Sequence, residues 1–154
     1  MRKVEVTEIV NTSPENIIRA FVEPSMLRCW WGVERSLIDA RPGGLYVVAW
    51  NINPRGFGYL STGIINEYDP ATKLVVENYM YANPEKEFLG PMSLTVQATQ
   101  KSDRIAAMYI RQDGYRNGGE WDWYYEAVRT AWPAVAKQLK EYLEKTAAAA
   151  TARK

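Results

Sequence analysis

The chain has 154 residues, of which 47% are hydrophobic and 24% charged, a balance that suits one packed domain and excludes a disordered chain. Its 19 basic and 18 acidic side chains leave a net charge of +1, so nothing points to nucleic acid or to an anionic surface. With no histidine and one cysteine, Cys29, the chain lacks the common metal ligand, the usual general base, ordinary structural zinc and every Ser-His or Cys-His nucleophile.

Residues 2–10 set Val4, Val6 and Ile9 against Glu5 and Thr7, the alternation of a half-buried strand and not of a signal peptide. Asn11-Thr12-Ser13-Pro14-Glu15 follows. Ser13 is placed to cap a helix, Pro14 to occupy its first position and Glu15 its first turn. That helix buries Ile17, Ile18 and Phe21 and stops near Glu23, before Pro24. A second short helix carries Met26, Leu27, Trp30 and Trp31 and ends at Gly32.

Residues 33–40 read as a strand, and Arg41-Pro42-Gly43-Gly44 as a type II turn. In Leu45–Asn53, Tyr46, Val48 and Trp50 share one face and Leu45, Val47 and Ala49 the other. Neither face is polar, so both are expected to be covered. Asn53–Gly56 makes a hairpin loop. Gly58–Tyr68 is a strand in which Gly63 marks a bulge or bend. Lys73–Tyr81 returns, 82–91 loops, and Met92–Thr99 and Arg104–Gln112 are strands joined at Lys101-Ser102-Asp103.

Glu120–Lys145 is the longest periodic segment. Trp121, Tyr124/Tyr125, Val128, Trp132, Val135, Leu139 and Tyr142/Leu143 form one apolar stripe. Pro133 predicts a kink, or a fresh start at Ala131. Residues 1–146 are read as one domain and the alanine-rich 147–154 as a frayed tail. Helices segregated from consecutive strands give an α+β class, with a twisted meander curling around the last helix.

These motifs resemble a known pattern when taken in order: Thr12-Ser13-Pro14-Glu15, Trp30-Trp31-Gly32, Arg41-Pro42-Gly43-Gly44, Gly63 with Glu67-Tyr68-Asp69-Pro70, Lys73-Leu74-Val75, Asp113-Gly114-Tyr115, and Ala131-Trp132 with Leu139 and Tyr142-Leu143. The pattern is that of the START-like (SRPBCC, helix-grip) superfamily and, within it, of the family named for activators of the heat-shock protein 90 ATPase. The resemblance covers residues 4–145. It implies a curved antiparallel sheet of roughly six to seven strands around a long C-terminal helix, with two short helices after the first strand. It also implies a cavity between sheet and helix. The superfamily includes lipid, sterol and hormone carriers, polyketide cyclases and Rieske oxygenases; the missing Cys and His pairs exclude the oxygenases. The chain departs from the family in its aromatic Trp121–Tyr125 segment and in Ala131, where a glycine is usual.

Alternation places Tyr46, Val48, Trp50, Ile65, Val76, Asn78, Met80, Leu94, Val96, Met108, Ile110 and Gln112 on the concave face. Across from them stand Trp121, Tyr125, Val128, Trp132 and Val135. Such an apolar lining with a few amides and phenols is how small-molecule sites are built, although the same residues also describe a filled core. Trp30-Trp31 is a candidate gate. Trp121, Trp123, Tyr124 and Tyr125 cannot all bury their rings on one helical face, which marks a ligand mouth or a homodimer contact.

Glu67, Glu77, Asp113, Glu120, Asp122 and Glu126 are the carboxylates available for acid–base work, without a diagnostic pair. Arg41 and Arg111 fit surface salt bridges better than a ligand carboxylate. Cys29 is expected to pack as a small hydrophobe, in a protein of the reducing cytoplasm. The favoured function is binding of a small apolar or aromatic molecule, without cofactor or metal. A cyclase- or hydratase-type enzyme using pocket tyrosines or carboxylates ranks second, and a chaperone-binding module third. No run of apolar residues is long enough to span a membrane.

Overall fold

The computed structural model describes residues 2–152. In chain order these form β1 (Lys3–Val10), α1 (Pro14–Ala20), α2 (Pro24–Trp31), β2 (Arg35–Ile38), β3 (Leu45–Trp50), β4 (Tyr59–Asp69), β5 (Lys73–Ala82), β6 (Leu89–Ser102), β7 (Ile105–Asp113) and α3 (Glu120–Ala152). The strands make one antiparallel sheet in the order β1-β7-β6-β5-β4-β3-β2. The first strand therefore pairs with the last, Val4 opposite Gln112 and Val10 opposite Ala106. The sheet curves around α3, which lies against β1 and α2.

Local chemistry sets the early elements. Ser13 caps α1 by accepting from the Asn16 N–H at 3.2 Å, and Pro14 and Pro24 open α1 and α2, where no intrahelical donor is missed. Gly32 closes α2 in the left-handed conformation with φ of 72°. Three side chains then fix the helices on the sheet. The Trp30 indole donates to the Ala20 carbonyl at 2.8 Å, the Tyr46 hydroxyl to the Phe21 carbonyl at 2.8 Å, and the Trp50 indole to the Trp31 carbonyl at 2.9 Å. Each buried polar atom thereby finds a backbone partner.

An extra residue in β5 shapes the middle of the sheet. Against β4 it shifts the register between Thr62, opposite Met80, and Ile64, opposite Glu77, so that Gly63 faces the bulge. The β5–β6 register shifts between Val76 and Tyr79, where Asn78 takes a positive φ of 50°, a conformation that asparagine tolerates better than most residues.

Several expectations change. Leu45 is exposed and Val47 half-buried, so only the face of β3 carrying Tyr46, Val48 and Trp50 is fully covered; the helices occupy the concave side. Strand β6 begins at Leu89, inside the expected loop, because buried Leu89 pairs with Tyr81. Its turn falls at Asp103-Arg104, with Arg104 at φ of 63°. Helix α3 runs through Pro133 without a fresh start at Ala131. Trp132, Ala136, Leu139 and Leu143 are buried on both sides of the proline, and that packing holds the helix where local propensity would break it. The helix also continues from Thr146 to Ala152, across an alanine run whose helix propensity is the highest of any residue. Residues 153–154 of the expected tail lie outside the described residues. Cys29 is exposed and not packed, because α2 turns Met26, Leu27 and Trp30 inward instead.

Gly63 shows how tightly the bulge is packed. An added Cβ would lie 2.5 Å from Val76 Cγ1 and 2.8 Å from the Glu77 carbonyl oxygen. Gly63→Ala is therefore expected to destabilise the protein by about 1–3 kcal/mol, the usual range for overpacking, read as a lower midpoint in urea unfolding.

Candidate ligand cavity

Between the sheet and the N-terminal half of α3 lies a cavity of about 400 Å³. Trp31 from α2, Trp50 from β3, Tyr59 and Ser61 from β4, Tyr79 and Tyr81 from β5 and Gln112 from β7 form one side. Trp123, Tyr124, Ala127, Val128, Ala131, Trp132, Val135 and Gln138 of α3 form the other. Trp123, Ala127 and Ala131 are exposed, which places the mouth along that half of the helix.

The aromatic rings touch one another in sequence around the cavity. Trp132 lies 5.4 Å from Trp31, Trp31 5.1 Å from Trp50, Trp50 5.0 Å from Tyr59, Tyr59 6.4 Å from Tyr81, and Tyr81 4.7 Å from Tyr124, measured between centroids. Gln112 closes the circuit. Its Oε1 accepts from the Trp132 indole at 2.9 Å, and its Nε2 donates to the Tyr124 hydroxyl at 3.0 Å. The amide nitrogen also lies 3.5 Å from Met92 Sδ. Gln112 is 2% exposed, so these bonds are what makes its burial tolerable. At the mouth, Lys86 Nζ sits 4.6 Å over the Trp123 ring and 3.4 Å from Glu120.

Burial favours the neutral form of Tyr59, Tyr79 and Tyr124. Burial pushes Tyr79 up to about 12, with the Ser61 hydrogen bond opposing. Burial also raises Tyr124, with nearby Tyr79 adding and the Gln112 bond opposing. Tyr59 is raised by burial and then by Tyr81. No carboxylate, lysine or arginine lines the cavity among the described residues. The carboxylates singled out above have other partners: Glu67 pairs with Lys73, Asp113 with Arg111, Glu120 with Lys86, Asp122 with Arg2 and Glu126 with Arg129, while Glu77 accepts from Ser93. The Gly118 N–H, followed by Arg2, holds Asp122 below the usual carboxylate range. Arg41 pairs with Asp39. No three His, Cys, Asp or Glu side chains converge on a metal position among the described residues.

Of the residues assigned from sequence, the structure brings Trp50, Gln112, Val128, Trp132 and Val135 together at the cavity. Tyr46, Val48, Ile65, Val76, Leu94, Val96, Met108 and Ile110 are buried in the packed core and do not line it. Asn78 and Met80 are not on the concave face. The bulge at Asn78 leaves that side chain exposed and turns Tyr79 and Tyr81 inward in their place. Trp121 and Tyr125 lie on the flank of α3, packed edge-on against Tyr115, with Arg2 4.6 Å over the Tyr125 ring. Tyr124, four residues before Val128, takes the inward position. Trp30 is buried while Trp31, stacked on it at 5.0 Å, forms part of the wall. Tyr59 and Ser61 were legible by simple alternation back from Ile65 through Gly63. Tyr79 and Tyr81 required knowledge of the bulge.

A curved sheet holding a long C-terminal helix, with a cavity between them, defines a helix-grip protein. The family model described as "Activator of Hsp90 ATPase homolog 1-like protein" matches residues 11–144, and the chain belongs to that family. Among solved structures, protein MLL2253 from Mesorhizobium loti is 18% identical, with a TM-score of 0.73 over 94% of this chain and 98% of its own. Protein CV1439 from Chromobacterium violaceum is 23% identical, with a TM-score of 0.71 over 94% and 99%. The Aha1 dimer from Colwellia psychrerythraea, solved in solution, is 15% identical, with a TM-score of 0.68 over 94% and 97%. At these identities the likeness is one of fold. No curated protein matches the sequence.

The raised Tyr79 gives a pH signature. Its ordinary value of 10.0 applies in the unfolded chain and about 12 in the folded one, so the folded state holds this proton more tightly. The stabilisation is complete below pH 10 and lost as pH rises toward 12. The melting temperature is expected to fall across that window, with part of the tyrosinate absorbance appearing only on unfolding.

Proposed function

We propose that this protein binds a small, uncharged apolar or aromatic molecule in the cavity between the sheet and α3. The observation that carries this reading is the circuit of touching rings around an open space of about 400 Å³. A core built only for stability would fill that space, because close packing gains dispersion and avoids a cavity penalty. Aromatic walls with a few hydrogen-bonding groups are instead the usual composition of a ligand site. The lining favours binding over acid–base turnover. Burial raises the Tyr79 and Tyr124 hydroxyls, which disfavours their ionised form, and the carboxylates that could act as bases are paired elsewhere.

Ligand binding is read by thermal shift with a panel of uncharged aromatic and aliphatic compounds. A ligand present at a hundred times its Kd is expected to stabilise the protein by about 2.7 kcal/mol, which raises Tm by about 5–10 °C for a domain of this size. Quenching of tryptophan emission should accompany it, since Trp31, Trp50 and Trp132 line the cavity. A panel that moves neither Tm nor emission would sink the proposal. Val128→Trp, which projects a large ring into the cavity, is expected to lower affinity at least tenfold with the fold retained, checked by the same two measurements beside circular dichroism.

A further inference from the structure

Hydrogen-bond direction at the cavity floor bears on the ligand's polarity. The Trp132 indole can only donate, and its Nε1 lies 2.9 Å from a terminal atom of the Gln112 amide. That atom must be the oxygen, which turns the amide nitrogen toward Tyr124. The Gln112 nitrogen then donates to the Tyr124 hydroxyl at 3.0 Å. A hydroxyl has one proton to give. Tyr124 uses a lone pair to accept from the amide and still holds its proton, for which no acceptor is found among the described residues.

The group left over at the floor is thus a donor, set between ring faces. Trp50 and Tyr59 stack with 17° between their planes, and Tyr81 and Tyr124 are tilted by 34°. A protonated amine would bring only donors against that donor, and a charge with no carboxylate in the lining to meet it. A carboxylate would bury its charge without a cation in the lining. We infer that the cavity selects an uncharged planar aromatic molecule bearing a carbonyl-type oxygen, and that the Tyr124 hydroxyl determines this preference by donating to that oxygen. The inference rests on the cavity binding a ligand as proposed above.

Fluorenone and fluorene test it, since they share a planar ring system and differ in the carbonyl. In calorimetric titration of the full chain, fluorenone is expected to bind about tenfold more tightly than fluorene, equivalent to about 1.4 kcal/mol or one hydrogen bond. Fluorenone carboxylate should bind more weakly than fluorenone. The infrared carbonyl stretch of bound fluorenone should lie below its frequency in hexane. Tyr124→Phe should abolish the preference and return the stretch toward its hexane value. That variant also removes an acceptor from Gln112, so its fold is checked by near-ultraviolet circular dichroism; the infrared shift in the unmodified protein decides the question without any variant. Equal affinities, or an unshifted carbonyl, overturn this inference and leave the binding proposal standing. A folded Tyr124→Phe protein that keeps the preference overturns the role of Tyr124. Failure of both fluorene and fluorenone to bind overturns this inference, while the broader panel above decides the binding proposal separately.

Discussion

The Gln112 amide joins the two layers of this protein. It sits on β7, in register with Val4 of β1 and Leu94 of β6, and reaches two side chains of α3 a double turn apart. The Trp132 indole donates to its oxygen, and its nitrogen donates to the Tyr124 hydroxyl. A buried amide left unpaired costs about 1–3 kcal/mol, so this residue constrains the rotation of α3 as well as its distance from the sheet. Once Tyr124 and Trp132 face Gln112, Val128 and Val135 face the cavity and Trp121 and Tyr125 turn aside toward Tyr115 and Arg2.

Below that contact the sheet meets the helix through ordinary packing. Ala136, Leu139 and Leu143 are nearly fully buried against a core of Val10, Ala106, Met108 and residues of α1 and α2. The two halves of α3 thus serve different purposes. The C-terminal half anchors, and its packing carries the helix through Pro133. The N-terminal half stands away from β4 and β5, and the gap is walled by rings. The bulge of β5 at Asn78, which faces Gly63 of β4, bends the strands there, because an extra residue in one strand increases local twist and redirects side chains.

That geometry separates a packed end from a ring-lined gap within one fold. The packed end tolerates little change in volume. The aromatic end offers faces, edges and a few hydroxyls. Membership of the family settles the architecture, whereas the chemistry of this lining belongs to the side chains placed on it.

The order and type of nearly every element were legible in the residues, because capping, turn chemistry and apolar period are local. Ser13-Pro14, Gly32, Pro42-Gly43 and Gly63 each act within a few positions of themselves. The candidate site was legible in part. Trp50, Gln112, Val128 and Trp132 follow from alternation and helical spacing, and Tyr59 and Ser61 follow from the same alternation in β4. What tertiary structure decided was which way the ambiguous residues face. Asn78 takes its positive φ in a pairing with β6 that is remote in sequence, and that single bulge exchanges Asn78 and Met80 for Tyr79 and Tyr81. Tyr124 and Tyr125 are equally placed by helical period, and only the buried amide of Gln112, on another element, chooses between them. Sequence determined the sheet and the helix that it grips; contacts between distant segments determined the chemistry of the space left between them.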